Sequence, residues 1–451
     1  MIYHPIGCAT NTIERRPPLN QSHVTRFADA LRATLGWDTL TALARRTGFC
    51  QRLRDITPQP LVCALVEALG AHPVRSVADL LRCFNSLSHL STRYKPFHNR
   101  LVKRQFPVFL QEVFLVIVAR LSCNVLGLNL RDKLKSFDDV LIQDGSSFAV
   151  HDALKEIFGG RFTKIRPAAV ELHALMSLRH DQVCRVALAP DKQGERDFLP
   201  APRELRGKLL MADRGYQDLH YWEQVQAAGG YFLMRAKCDL NPRIVRLWGS
   251  SRALRRRVEG RRLQDVFRRL PRQRLDLEVE WDRPRGGCLR LRMVLVWTPR
   301  EQFTMLMTNV SRAVLSAKEV AQMYRLRWQI ELLFKEWKSH ANLHEFASAK
   351  PALVAGLIWA SLAAAALKRS LAHVSQRSGS PLPISTLITA SCGAHILPEL
   401  MRSVLHDFKN LRPILERTIR YLWDNAPRAH PERDRRRGRM QFGLEYVGLR
   451  A

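Results

Sequence analysis

Acidic residues are scarce in this sequence. Its 451 residues include 41 Asp and Glu against 72 Lys and Arg, which gives a formal net charge of +31. The shortage of negative charge predicts a polyanionic partner, and nucleic acid fits better than a membrane surface. Ribosomal and chromatin proteins share this imbalance, so the charge indicates a partner and leaves the activity open. Apolar residues make up 46% of the chain, which excludes a mostly disordered protein.

Paired cysteines and long apolar runs are also missing. The nine Cys residues are scattered without a Cys-x-x-Cys pair, which favours reduced thiols and argues against a structural zinc site. The longest apolar run, residues 352–367, is shorter than the ~20 residues that a bilayer span needs, so we expect a buried helix there. No apolar segment of a secretory signal accompanies the charged residues 14–16. We therefore expect a cytoplasmic, nucleoid-associated protein without a membrane partner.

The first part of the chain lacks the alternating pattern of strands. Apolar spacing predicts helices at residues 23–35, 61–69, 77–87 and 108–121. Residues 93–104 form a basic stretch interleaved with aromatic side chains, and we expect a loop there. Such a loop suits contact with a phosphate backbone, although a solvated connector fits equally well. We predict a helical N-terminal DNA-binding domain over residues 1–130.

From residue 138 the pattern changes to short apolar strands alternating with helices. This alternation predicts an α/β fold with a mixed sheet and flanking helices, and one of the helices is expected at residues 197–205. Residues 238–300 are dense in Arg and carry alternating strands at 275–281 and 288–297, which predicts a β-rich basic insertion. A helical region is expected at 371–425, and a basic, disordered tail at 426–451.

Two Asp residues each follow a short apolar strand. Residues 140–142 lead into Asp144, and residues 208–212 lead into Asp213. Carboxylates at strand ends can converge at one edge of a sheet. Each Asp also has a purely structural alternative, as part of a turn or as a helix cap. Five nearby acids are rivals that the sequence does not exclude: Asp138, Asp139, Asp152, Asp191 and Asp197.

A single long helix is predicted after a capping box at residues 316–319. At ~100° per residue, one side of this helix presents a phenol, a guanidinium, a carboxylate and an ammonium within roughly 60° of the phenol. These groups belong to Tyr324, Arg327, Glu331 and Lys338. The carboxylate could complete a site for magnesium or manganese with the two Asp residues, while the cations hold phosphates. A solvated edge of an amphipathic helix is the alternative.

Together these motifs resemble those of DDE transposases of the insertion-sequence group named four. The resemblance rests on Asp-Gly-Ser after one strand, Asp-Arg-Gly-Tyr after a later strand, and Tyr-x2-Arg-x3-Glu-x6-Lys. It runs from about residue 138 to about residue 367. It implies an RNase H-like catalytic core, divided into residues 131–237 and 301–370, in which Asp144, Asp213 and Glu331 bind Mg²⁺, with Mn²⁺ as a possible substitute.

The resemblance also implies an activity and further site residues. Relatives cleave double-stranded DNA at the terminal inverted repeats of a mobile element and join the 3′-hydroxyl ends to target DNA, and we expect a homodimer across two ends. Phosphate contacts are implied for Tyr324, Arg327 and Lys338. Arg235 and Lys237 stand where relatives place basic residues on DNA.

One position departs from the relatives that form a DNA hairpin. Those proteins carry a Trp before the strand that leads into the last helix, and it stacks on a flipped base. The corresponding residue here is Thr304, with Phe303 beside it and Trp297 several residues earlier. Either aromatic could stack on an extruded base, and burial of both within the insertion is the alternative. The hairpin step therefore stays open.

Two other functions compete with an active transposase. One is a catalytically silent DNA-binding protein derived from a transposase, which the complete set of three acids disfavours. The other is a host nuclease on the same core, which would cleave DNA without joining ends.

Overall fold

Helices form the first part of the structure. The computed structural model describes residues 17–122, 126–128, 133–282, 287–300, 302–343, 346, 348–429 and 444–446. Its first six helices are α1 (Gln21–Leu35), α2 (Trp37–Arg46), α3 (Pro58–Ala71), α4 (Val77–Ser88), α5 (Tyr94–Leu101) and α6 (Phe106–Leu121). The side chain of Asn20 caps α1, and Ser76 with Asp79 forms a capping box on α4.

The four helices that the sequence predicts are α1, α3, α4 and α6, with ends displaced by a few residues. The sequence does not predict α2 or α5. The expectation of a loop at residues 93–104 is wrong, because α5 occupies most of this stretch. Phe97 and Leu101 lie on the same side of α5 and are both buried, so packing stabilises a helix whose sequence is otherwise polar.

A sheet of nine strands forms the centre of the molecule. After the short strand β1 (Leu126–Leu128), its strands are β2 (Val140–Ala149), β3 (Ala169–Ser177), β4 (Gln182–Pro190), β5 (Leu209–Ala212), β6 (Tyr231–Ala236), β7 (Arg243–Trp248), β8 (Leu275–Asp282), β9 (Cys288–Trp297) and β10 (Phe303–Thr308). Their spatial order is β4-β3-β2-β5-β6-β10-β9-β8-β7.

The first five strands of this sheet carry the topology of the catalytic core that the sequence predicts. β2, β3 and β4 are antiparallel neighbours, and β5 and β6 are parallel to β2. Their spatial order is therefore third, second, first, fourth, fifth, which is the strand order of an RNase H-like fold. The predicted fold class, a mixed α/β sheet with flanking helices, is confirmed.

Residues 238–300 extend the same sheet. β8 and β9 pair with each other, β7 pairs with β8, and β9 pairs with β10. Three helices belong to this side of the molecule: α7 (Leu219–Ala227), α8 (Arg252–Val258) and α9 (Leu263–Val266). The helix predicted at residues 197–205 is wrong. Two short 3₁₀ turns stand there, because Pro200 and Pro202 interrupt any longer helix.

Helices also form the last part of the structure: α10 (Ala317–Arg325), α11 (Trp328–His340), α12 (Pro351–Arg377), α13 (Thr386–Ser391), α14 (Gly393–His406) and α15 (Leu411–Asn425). α12 packs against α3 and α6, and α14 packs against α3. The N-terminal and C-terminal helices thus share one hydrophobic core. The division predicted at residue 130 separates helices that are packed together, which a local pattern does not reveal.

α12 is the buried helix predicted from the apolar run. It is the one helix among the described residues with the length and apolarity to cross a membrane, and 83% of its apolar window is buried inside the protein. The predicted disordered tail is corrected at one point. β11 (Leu444–Tyr446) pairs antiparallel with β1, while residues 430–443 and 447–451 lie outside the described residues.

Candidate active site

The two predicted Asp residues lie side by side. The parallel pairing of β2 with β5 ends with Gln143 opposite Ala212. The next residues are Asp144, on β2, and Asp213, directly after the end of β5. β2 itself continues to Ala149, because residues 145–149 pair with β3. Asp144 therefore lies within a strand, whereas the sequence suggests that it lies at a strand end. The convergence of the two carboxylates comes from the register of the parallel pair.

The predicted single helix is interrupted between α10 and α11. The capping box at its start is present, with Ser316 and Glu319 in their expected roles. At the interruption, the N–H groups of Leu326 and Arg327 donate to carbonyl oxygens three residues back, at 2.9 and 3.1 Å. This pattern is tighter than that of an α-helix. The polar residues therefore do not line one straight helix, although they still reach a common site.

Arg327 joins two of the carboxylates. Its Nη1 donates to Oδ2 of Asp144 at 2.7 Å, and its Nη2 donates to Oε1 of Glu331 at 2.5 Å. The phenol of Tyr324 donates to Oδ1 of Asp213 at 3.1 Å. Through these two side chains, the turn region between α10 and α11 is connected to both strand carboxylates.

Lys338 lies on α11, seven residues after Glu331. It lines an open cavity of about 470 Å³ together with Asp144, Gly145 and Glu331. Burial lowers the pKa of Lys338, and the positive charge of Arg166 lowers it further. The cavity is thus lined by two acids and an ammonium, which suits a phosphodiester beside a cation-binding site.

The two cations predicted near the end of β6 lie at different distances from the acids. Nη1 of Arg235 is 4.0 Å from Oδ1 of Asp213, so Arg235 belongs to the site. Lys237 is exposed, and its contact is made by the backbone, whose N–H donates to the Gln217 side chain at 2.6 Å.

The carboxyl group of Asp144 is electrostatically unfavourable when ionised. Burial, together with the charges of Asp213 and Glu331, raises its pKa to about 6 in spite of the opposing effect of Arg327. The side chain is 20% exposed. A bound cation would relieve both effects, since it would supply the positive charge that a single guanidinium only partly provides.

A second group of charges lies directly behind the two Asp residues, and the sequence does not predict it. A Cβ atom on Gly145 would lie 2.5 Å from Oε1 of Glu171, and one on Gly215 would lie 1.6 Å from Oε2 of Glu195. Arg161 is 3.4 Å from Glu171 and 3.9 Å from Glu195. The sequence carries one signal for this second group of charges, namely the glycines of Asp-Gly-Ser and Asp-Arg-Gly-Tyr. A glycine allows a neighbouring side chain to approach the backbone closely.

The rival acids have other roles. Asp139 accepts from the Ser177 hydroxyl at 3.0 Å, and Asp191 accepts from the backbone N–H of Arg161 at 2.9 Å. Asp197 accepts from Gln193 at 3.3 Å. Asp138 packs against Gly207, and Asp152 is exposed in a 3₁₀ turn. These contacts are structural and leave the strand pair as the best-placed acids.

The two aromatics considered for base stacking pack against each other. The rings of Trp297 and Phe303 are edge-to-face with centroids 4.9 Å apart, and Phe303 makes a second edge-to-face contact with Phe267. The guanidinium of Arg272 lies over the Trp297 ring. Both rings are thus engaged within the extended sheet region, which agrees with the alternative of burial there.

Comparison with known proteins places this arrangement in a family. The sequence profile of the family described as "Transposase DDE domain" matches residues 135–367, more than half of the chain. The chain belongs to this family. It is therefore a DDE transposase, an enzyme that cleaves DNA and transfers DNA strands, and the resemblance inferred from the three motifs is confirmed.

Individual relatives of the transposase come from insertion sequences of bacteria. It is 20% identical over 370 residues to the transposase for insertion sequence element IS231B of Bacillus thuringiensis subsp. berliner, covering 73% of this chain and 76% of the relative. It is 22% identical over 314 residues to the transposase for IS1151 of Clostridium perfringens, covering 59% and 66%. These names are consistent with the insertion-sequence group named four.

One solved structure is similar over most of the transposase. It is a piggyBac transposase synaptic complex with hairpin DNA, with a TM-score of 0.44 and 12% identity over 92% of this chain and 87% of that chain. A likeness of this strength carries no argument about mechanism.

The DDE family implies a divalent metal ion, and the acids present fit one by their chemistry. Carboxylate oxygens are the ligands that hard divalent cations prefer, and the raised pKa of Asp144 is what an acid in need of a cation shows. Among the residues that the structure describes, no three His, Cys, Asp or Glu side chains are grouped tightly enough to hold a metal. Arg327 lies between Asp144 and Glu331 and compensates part of their negative charge.

Proposed function

We propose that Asp144, Asp213 and Glu331 are the catalytic triad of this transposase and hold its metal. The observation that carries the proposal is the bridge from Arg327 to Asp144 and Glu331, beside the end of β5 that Asp213 directly follows. Metal bound there would polarise the scissile phosphate and activate the attacking oxygen. The three carboxylates would fix the position of the metal, because two strands and a helix set the positions of the carboxylates themselves.

The metal we propose is Mg²⁺, with Mn²⁺ able to replace it. All three candidate ligands are carboxylates, which are hard oxygen donors, and the open cavity beside them leaves room for water and phosphate oxygens. Magnesium retains several waters and is usually held by one or two carboxylates together with substrate phosphates. Neither His nor Cys belongs to the proposed set, so a preference for zinc is not expected.

The cations around the acids are proposed to hold the DNA. Arg327 can grip a phosphate with both nitrogens once a metal takes over the compensation of the acids. Lys338 in the cavity wall and Tyr324 beside Asp213 suit phosphate contacts on either side. Arg235 supports the same surface near Asp213, and Lys237 extends it into solvent.

The DNA substrates that we propose are the terminal inverted repeats of the element and a target duplex, bound by a homodimer that pairs two ends. The net charge of +31 supports extensive phosphate contact and association with the nucleoid in the cytoplasm. The N-terminal helices, with exposed cations on α5 and in the turn after it, are the proposed end-binding region.

The test is cleavage of duplexes that carry the gene's own flanking sequence, in Mg²⁺ and separately in Mn²⁺. Wild type should nick at the element boundary and form joined products, whereas Glu331→Gln should bind the same duplex without cutting it. Asp152→Asn is the matched control, because it removes an exposed acid outside the site, and it should cut normally. Binding without cleavage by wild type would favour the silent DNA-binding protein, and cleavage without joining would favour the nuclease.

A further inference from the structure

The connection between β2 and β3 carries an unusual concentration of exposed apolar side chains. Ile157 is 50% exposed, Phe162 is 64% exposed and Ile165 is 81% exposed. In the described part of the chain only five large apolar side chains are at least 50% exposed, and three of them fall within nine consecutive residues. Apolar groups held in water are unfavourable, so a cluster of them indicates a surface that is covered in a functional complex.

The tip of this connection, residues 161–166, is an ordered turn. The N–H groups of Ile165 and Arg166 both donate to the carbonyl oxygen of Phe162, at 3.0 and 2.7 Å. Below the tip, Gly160 donates to the carbonyl of Pro167 at 3.0 Å, and a Cβ atom on Gly160 would lie 2.0 Å from the carbonyl oxygen of Arg166. Phe162 and Ile165 are thus presented by a closed turn, which reduces the entropy lost on binding.

The charges of the tip select the class of partner. All six tip residues are exposed, and Arg161, Lys164 and Arg166 are cations with no acid among them. A second copy of this chain is strongly basic, so it would meet these cations with repulsion. Duplex DNA offers phosphates to the cations and base steps to the apolar side chains, and proteins that kink DNA insert apolar wedges in this way.

The tip is physically tied to the candidate active site. Arg161 reaches Glu171 and Glu195, the two acids that pack against Gly145 and Gly215 beside the catalytic Asp residues. The backbone N–H of Arg161 is also held by Asp191 at 2.9 Å. The base of the tip is therefore anchored, through Glu171 and Glu195, to side chains that pack directly beside Asp144 and Asp213.

The other end of the tip carries Arg166, whose charge acts on a lysine of the candidate site. Arg166 is close enough to Lys338 for its charge to lower the pKa of that lysine, after the effect of burial. Lys338 lines the cavity that contains Asp144 and Glu331. The charge of Arg166 therefore acts on one of the cations proposed to hold phosphate.

We propose that residues 161–166 form a wedge that kinks the element-end duplex beside the scissile phosphate. Phe162 and Ile165 insert at a base step, while Lys164 and Arg166 hold the flanking phosphates. The proposal rests on the proposed function of the cavity, because the DNA that Lys338 binds there is taken to be the element end. The kink brings the DNA backbone toward the acids. The contacts of Arg161 with Glu171 and Glu195 fix the position of the wedge relative to the acids.

The test measures bending without cleavage. Full-length protein carrying Glu331→Gln is bound to a duplex of the gene's own flanking sequence with a donor dye and an acceptor dye at its two ends. The protein with an intact wedge should raise energy transfer. Adding Phe162→Ser and Ile165→Ser should remove that rise, while Kd changes less than about threefold because phosphate contacts dominate affinity. Leu382→Ser, at a 52% exposed apolar side chain outside this surface, is the matched control and should bend DNA normally.

Two further measurements complete the test. Lys164→Gln and Arg166→Gln should each weaken binding and reduce the slope of log K against log salt by about one. With Glu331 intact, the double Ser variant should cleave paired duplex at least about tenfold more slowly. Two mismatched base pairs at the boundary should restore its cleavage, because that step is already unstacked.

Several results would overturn the wedge and each has a different meaning. Unchanged energy transfer in the double Ser variant would exclude bending by the tip. Normal end cleavage with loss of strand transfer alone would assign the tip to target DNA, and normal bending with loss of the two-ended complex would assign it to a second copy. The bending assay does not depend on catalysis, so failure of the proposed triad would leave its result readable.

Discussion

The guanidinium of Arg327 lies 2.7 Å from the carboxylate of Asp144, in the position where charge compensation of the buried acid is most needed. The same guanidinium is 2.5 Å from Glu331. Without bound metal, Arg327 therefore stabilises acids that otherwise repel one another. A metal held by these acids would supply the compensating charge in its place, and Arg327 would then be able to bind a phosphate.

Arg327→Gln should separate these two roles. In the absence of metal, the loss of the ion pairs should lower the free energy of unfolding by about 2 kcal/mol, because Asp144 is mostly buried. Addition of Mg²⁺ should then raise Tm more than it does in wild type, while DNA cleavage falls by more than about tenfold. Thermal unfolding with and without Mg²⁺ measures the first effect. Arg325→Gln, at an exposed cation on the same segment, should show neither change.

A buried network positions the helix that carries Glu331. The guanidinium of Arg369 on α12 contacts Glu336 of α11 at 2.7 Å and Asp181 in the β3–β4 turn at 3.0 Å. All three side chains are at most 6% exposed. The network therefore joins α11, α12 and the sheet.

Arg369→Leu should lower the free energy of unfolding by about 3–5 kcal/mol, because it leaves two buried carboxylates without their guanidinium. Urea unfolding checks the size of the loss. Arg417→Leu is the control, since it breaks the exposed pair with Glu399, whose side chains are 60% and 55% exposed. That variant should lose less than about 1 kcal/mol. An equal loss in both variants would contradict a special role for the buried network.

How much of this site the sequence predicts depends on the distance over which each signal acts. The motif acids, Asp144, Asp213 and Glu331, are marked by neighbours a few residues away, so they are identifiable before the fold is known. The partners Glu171 and Glu195 are distant in sequence from the acids that they support, and only the register of β2 and β3 and a close approach at two glycines reveal them.

The same reasoning explains the errors in the fold. The interruption at Leu326 and Arg327 carries neither Pro nor Gly. The tertiary contact of Arg327 with Asp144 opposes the continuous helix that local propensity favours. The strand at residues 444–446 exists through its pairing with residues 126–128, more than three hundred positions away, which no local pattern records.

The buried acid Glu171 should make stability depend on pH. Burial raises its pKa to about 7, against the opposing effect of Arg161. The folded protein thus holds this proton more tightly than the unfolded chain, whose pKa is near 4.5. The stability of wild type relative to Glu171→Gln should be greatest below pH 4.5 and decline as pH rises to 7, by up to about 3 kcal/mol. Urea unfolding of both proteins between pH 5 and 8 checks this, and a constant difference would contradict it.

Gly145→Ala should impair catalysis more than binding. The new Cβ atom would lie 2.5 Å from Oε1 of Glu171, so either that acid or the neighbouring Asp144 must move. A displacement near 1 Å at a reacting group can slow a reaction by about 100-fold, and we expect end cleavage to fall at least about tenfold with little change in DNA affinity. Gly194→Ala is the control, because the nearest atoms to its Cβ would be 3.9 Å away.

A second substitution decides whether the clash itself is responsible. Glu171→Ala removes the oxygen that the Cβ atom of Gly145→Ala would meet, so the double variant should cleave faster than the Gly145→Ala protein. That recovery is expected because Asp144 can return to its place beside Asp213 when the space behind it is free. If the double variant cleaves no better, then Glu171 does more than occupy that space, and the carboxylate itself supports the geometry of the Asp pair.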